Sequence, residues 1–79
     1  MCETAQTMED KDYLVLLGKN ITKFRKQKGV TSKELGFLCD MEKSNLIPIE
    51  KGRINTTALT LLKIAKALDV EVKDFFNFE

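Results

Sequence analysis

The run Thr31-Ser32-Lys33-Glu34-Leu35, followed by Asn45-Leu46-Ile47-Pro48-Ile49-Glu50-Lys51-Gly52-Arg53, decides how this chain folds. The Thr31 hydroxyl is placed to accept from the Glu34 amide, while the Glu34 carboxylate reaches back to the Thr31 amide. This capping box fixes where a helix begins. That helix buries Leu35 and Cys39 and stops around Asp40. A short turn leads into another helix, whose inner side is Leu46 and Ile49 and which Gly52 ends.

Working outward, Leu14, Leu17, Ile21 and Phe24 recur at steps of three, four and three, the period of one helix face, while Lys19, Lys23 and Lys26 fall largely elsewhere. They predict a first helix from near Asp12 to Gly29, a suitable left-handed cap. On the other side, Thr56 or Thr57 caps a fourth helix with an inner stripe of Ala58, Leu61, Leu62, Ala65 and Leu68, and Val72, Phe75 and Phe76 suggest a short fifth. The expectation is an all-α fold of five helices with short connections. Residues 1–11 lack apolar periodicity and read as a mobile tail, and residues 12–79 read as one domain. A domain this small buries only roughly 60% of the surface its unfolded chain exposes, so every apolar helix face is committed to the core.

Composition narrows the class. A hydrophobic content of 43%, a charged content of 32%, a lone Pro and four Gly are the values of an ordinary packed chain, and they argue against a disordered or fibrous one. Two cysteines and no histidine leave no metal site and no disulfide framework, and Cys39 reads as core filler. Neither cysteine lies in a recognisable nucleophile setting, so no enzyme, cofactor or small-molecule substrate is expected. Residues 1–12 are acidic where a signal peptide is basic, and the apolar stretch Tyr13 to Leu17 is too short to span a bilayer. The expected compartment is the cytoplasm, with no membrane partner.

Charge is informative once divided along the chain. Residues 19–53 hold nine Lys or Arg against four acids, a net of +5, inside a total of +1. The flanking segments are acidic, so the near-neutral whole hides a basic middle. A pair of short helices joined by a tight turn, with lysines clustered at their exposed ends, suits insertion into a DNA groove.

From Leu17 to Phe76 the pattern resembles the Cro/C1-type (Xre-like) helix-turn-helix family of phage repressors and bacterial regulators. The resemblance is carried by Arg25 and Gly29 ahead of Thr31-Ser32-Lys33-Glu34-Leu35, then by Ile49-Glu50-Lys51-Gly52-Arg53, Asn55, and Leu61-Leu62-Lys63-Ile64-Ala65-Lys66-Ala67-Leu68. It implies a five-helix lambda-repressor-like domain with the helix-turn-helix formed by helices 2 and 3. It also implies sequence-specific binding to double-stranded DNA, as a homodimer on a two-fold operator, in a transcriptional repressor.

The same resemblance assigns roles. Thr31, Ser32 and Lys33 open helix 2 beside the DNA backbone, and Ser32 stands where the family usually has a phosphate-touching Gln. Lys43, Ser44 and Ile47, with Asn45 beside them, occupy the groove-facing positions of helix 3, while Lys51, Arg53 and Asn55 line the loop that rests on the sugar-phosphate chain. Phosphate contacts position a protein, whereas base-edge contacts specify the site. Lys43 can address guanine, Ser44 can donate or accept, and Ile47 can pack on a thymine methyl. Arg25 and Glu50 match positions that the family joins in a partly buried ion pair.

Pro48 departs from the pattern. In a helix that starts at Lys43 it lies past the first turn and deletes the bond to the Ser44 carbonyl, at a cost of ~3 kcal/mol. Either helix 3 is kinked, or it begins later, near Ser44 or Asn45, and either outcome moves Lys43 and Ser44 relative to the groove. Exposed apolar residues are the other departure. Phe37 and Leu38 fall where polar residues are common, and Ile54, Leu59, Phe76 and Phe78 exceed what so small a core holds. Ile54, Leu59, Phe76 and Phe78 are expected at the dimer seam; the bland reading is that Phe37 and Phe78 fold back over the core. Two competing functions remain: the antitoxin of a toxin and antitoxin pair, and a protein-binding module that retains the fold.

Overall fold

One fully buried side chain from each of five helical elements meets at a common centre: Ile21, Leu35, Leu46, Ile64 and Phe75. The computed structural model describes residues 9–78. Within them α1 spans Asp10–Lys28, α2 Ser32–Leu38, α3 Lys43–Glu50 and α4 Ala58–Leu68, and a 3-10 helix spans Val72–Phe76. No strand occurs among the described residues.

The caps explain the boundaries. Gly29, at φ 79°, ends α1 and donates back to the carbonyls of Arg25 and Lys26. The Glu34 amide donates to Thr31 Oγ1 at 3.1 Å, and the Thr31 amide donates to Glu34 Oε1 at 2.8 Å, closing the capping box. Thr57, rather than Thr56, caps α4 by accepting from the Thr60 amide. Asp69, at φ 59°, closes α4 in the left-handed region that Asp tolerates better than most side chains.

Some expectations are corrected. Helix α1 starts at Asp10, so Asp10 and Lys11 belong to the helix instead of a tail. Of the rest of that expected tail, Glu9 is the N-cap residue of α1 and residues 1–8 lie outside the described residues. The acids Asp10 and Asp12 sit in the first turn of α1, where they complement the positive end of the helix dipole. In α4 the buried stripe is Leu61, Ile64, Ala65 and Leu68, while Ala58 is exposed and Leu62 is 39% exposed. The expected fifth helix is the 3-10 turn, which inserts Phe75 and is fastened by Asn20 Nδ2, donating to the Phe75 carbonyl at 2.8 Å and the Asn77 carbonyl at 3.1 Å.

Candidate nucleic-acid interface

The geometry of α3 begins with what it buries. Leu46 and Ile49 face the core, at 0% and 5% exposure. A helix turns about 100° per residue, so the stripe opposite them is Ser44, Ile47, Pro48 and Lys51, the i, i+3, i+4, i+7 series. Ser44 and Lys51 are exposed and Ile47 and Pro48 half-buried, while Lys43 and Asn45 are exposed on either side of the stripe.

Pro48 neither delays α3 nor truncates it. The helix starts at Lys43 after Glu42, which supplies no side-chain cap, and carries Pro48 inside. The expected later start at Ser44 or Asn45 is therefore corrected. Lacking an N–H, Pro48 leaves the Ser44 carbonyl without its i+4 donor. Its own carbonyl accepts from the Arg53 amide at 2.9 Å and holds the loop after α3.

The turn between α2 and α3 is built on backbone proximity. Asp40 takes φ 57°, and the Met41 amide donates to the Gly36 carbonyl at 2.7 Å. A Cβ on Gly36 would come 2.7 Å from the Met41 carbonyl oxygen, closer than real Cβ contacts allow. Glycine at that position lets α3 fold back tightly over α2, a role that its sequence context does not announce.

The other end of α3 is stapled by the Glu50 carboxylate. Arg25 Nε donates to Glu50 Oε2 at 3.0 Å, and Thr22 Oγ1 donates to Oε1 at 3.2 Å. The two charged side chains are 13% and 7% exposed. Arg25 Nη1 also donates to the Val30 carbonyl at 2.9 Å, which ties the ion pair to the linker before α2. Ser32 points inward, its Oγ 3.5 Å from Glu50 Oε1, so its hydroxyl is turned toward the carboxylate rather than outward. The start of α2 (Thr31, Ser32, Lys33) is thereby brought beside the end of α3, where Lys51, Arg53 and Asn55 follow. Thr31, Lys33, Lys51, Arg53 and Asn55 are all exposed. Thr22 and Ser32 as partners of Glu50 were not legible beforehand, because neither spacing nor charge marks a hydroxyl that meets a carboxylate across the fold.

The exposed apolar residues fall in two parts of the chain. Ile54, Leu59, Leu62 and Phe76 are 45%, 72%, 39% and 37% exposed, on α4 and the segments flanking it. Phe78 folds back instead, edge-on to Tyr13 with ring centroids 5.0 Å apart, and is half-buried. Phe37 does not fold back: it is 85% exposed, with Leu38 at 52%, at the end of α2. Cys39 packs into the core, where burial pushes its thiol pKa up and nearby Lys63 partly opposes the shift. Among the described residues no group of His, Cys, Asp and Glu is placed to hold a metal ion, and no helix is long and apolar enough to cross a membrane.

The family described as helix-turn-helix matches residues 21–75. An HTH-type transcriptional regulator of Sinorhizobium fredii is 36% identical over 59 residues, covering 75% of this chain and 77% of that protein. The control protein C.BamHI of Bacillus amyloliquefaciens is 35% identical over 65 residues, covering 81% of this chain and 80% of that protein. The crystal structure of the restriction-modification controller protein C.AhdI from Aeromonas hydrophila superimposes with a TM-score of 0.78 at 33% identity, over 80% of this chain and 96% of that one.

Proposed function

Because the chain belongs to the helix-turn-helix family, we propose that it is a transcription regulator that binds double-stranded DNA sequence-specifically, as a homodimer on a two-fold operator, and acts as a repressor. The observation that supports this most is the outward stripe of α3, opposite Leu46 and Ile49, flanked by Lys43 at one end and by Lys51 and Arg53 at the other. A helix held by its inner face and free on its outer one is what a major groove admits. In this reading Lys43, Ser44, Asn45 and Ile47 face bases, while Thr31, Lys33, Lys51, Arg53 and Asn55 position the phosphates. Ser32 shares its hydroxyl with Glu50 and is a weaker phosphate donor than its position implies. The activity is binding, not catalysis.

The dimer reading rests on Ile54, Leu59 and Phe76, joined by Leu62, with Phe78 behind them against Tyr13. A seam there leaves both copies of α3 free to enter one side of a duplex about one helical turn apart. C.AhdI, a controller protein, matches over 96% of its chain, which supports a regulator whose action is carried by this fold itself.

The test is affinity for duplexes selected from a random pool, measured against salt. A DNA-binding dimer loses affinity as salt rises, with a log-log slope of about 0.9 per phosphate contact, and charge reversal at Lys51 and Arg53 flattens it. One observation favours a second reading: Phe37 and Leu38 lie exposed at the end of α2, as a protein partner's docking patch does in an antitoxin or a protein-binding module. Binding indifferent to salt would favour that reading.

A further inference from the structure

We propose that the outward face of α3 reads the C5-methyl group of pyrimidines in the major groove, and that Pro48, together with Ile47, is the residue that sets this preference. The inference rests on the DNA-binding reading and names the chemistry that this site recognises.

The outward stripe runs Ser44, Ile47, Pro48, Lys51, so its two central positions are adjacent and apolar while its ends are polar. Both central side chains are only half-buried, although Leu46 and Ile49 on the opposite side are taken fully into the core. Proline has neither a side-chain donor nor a backbone N–H, so the middle of the stripe offers a base edge no hydrogen bond at all. Of the groups a base pair shows in the major groove, the C5-methyl of thymine is the apolar one, and cytosine carries the same group when it is methylated at C5. Any other edge set against Ile47 and Pro48 loses its water without gaining a partner, which is unfavourable for a donor or acceptor. A methyl-bearing pyrimidine under these two residues is therefore preferred.

The backbone points the same way. Pro48 sits inside the helix, where it removes the hydrogen bond to the Ser44 carbonyl, and it is half-buried rather than one of the buried core residues. Any other helix former at this half-exposed position would restore that hydrogen bond. The proline therefore weakens the helix on the face turned away from the core, as residues at functional sites do.

The full chain is tested on its best selected duplex by fluorescence anisotropy. Each thymine is replaced in turn by deoxyuridine, which removes only the methyl group, and cytosine is compared with 5-methylcytosine at the same positions. Removing the methyl at one or two positions per half-site should weaken binding about threefold to fivefold, and 5-methylcytosine should exceed cytosine there by a similar factor. The first arm reports thymine as the source of the methyl and the second reports methylated cytosine. Pro48→Ala and Ile47→Ala, each checked for helicity, should still bind but lose most of the discrimination between thymine and deoxyuridine. The inference is overturned, with the DNA-binding reading intact, if a salt-sensitive selected site binds equally well with thymine and deoxyuridine throughout. It is equally overturned if both variants discriminate as the natural protein does. A selection that enriches nothing, with binding indifferent to salt, overturns both readings together.

Discussion

Gly18 lies directly against the backbone of Glu50: a Cβ at Gly18 would overlap the Glu50 carbonyl oxygen and come 2.7 Å from the Ile49 carbonyl oxygen. The closest approach of α1 to α3 therefore depends on a missing side chain. In an isolated helix Gly18→Ala would gain about 1 kcal/mol of propensity. Here the overlap is with backbone, which cannot rotate away, and overpacking of that kind costs about 1–3 kcal/mol. The expected outcome is a net loss of stability in urea unfolding, against the propensity rule. A gain would show that the two helices can part at little cost.

The Arg25 and Glu50 pair makes a second prediction. Glu50→Gln leaves the Arg25 guanidinium in a poorly hydrated place and should cost about 3 kcal/mol or more, a fall in Tm of over about 10 °C for a domain of this size. The pair Lys73 and Glu71, 3.7 Å apart with side chains 78% and 75% exposed, is the internal control. Exposed pairs contribute about 0–1 kcal/mol, so Glu71→Gln should shift Tm by only a few degrees. Equal shifts in the two variants would contradict the clamp.

Leu59, at 72% exposure, is the sharpest probe of the proposed seam. Leu59→Glu touches no buried contact, so thermal stability of the monomer should change by less than about 0.5 kcal/mol. Sedimentation should nevertheless shift toward monomer, and operator affinity should fall at least about tenfold, because two half-sites are no longer engaged together. A natural protein that stays monomeric at high concentration would reject the seam outright.

Cys39 gives the pH dependence. Burial raises its pKa above the ordinary thiol value, with Lys63 opposing. The folded state therefore holds its proton to higher pH than the unfolded state does. The associated stability is complete below the ordinary thiol pKa and is lost as pH rises from there through the folded value. In a Cys2→Ser background, alkylation of Cys39 should be slow at neutral pH in the native protein and should become fast on unfolding. Rapid native alkylation would show that the thiol is not in the core.

Much of the fold was legible in the residues because its boundaries are set locally. Gly29, the Thr31 and Glu34 box, and Leu46 with Ile49 act within a few positions of one another, so short-range chemistry identifies them. The inner face of α4 was misread for a physical reason. Leu61, Leu62, Ile64 and Ala65 place apolar groups around most of the helix, and periodicity cannot say which arc is buried when so little of it is polar. Burial chose Ile64 and left Leu62 and Ala58 outside. Gly18, Gly36, and the hydroxyls of Thr22 and Ser32 matter only through what other segments bring to them, and a linear reading has no access to that. For the candidate interface, the exposure of Lys43, Lys51 and the outer side of α3 follows charge and spacing, whereas the inward turn of Ser32 does not.

The Glu50 carboxylate joins side chains from α1, α2 and α3 in one half-buried cluster, and this bears on the thermodynamics of association. Segments that are cross-braced before a ligand arrives do not have to be ordered by it, so little conformational entropy is surrendered on docking. Calorimetry of the complex should then show a heat-capacity change sized to the interfacial area alone, without the larger contribution that accompanies coupled folding.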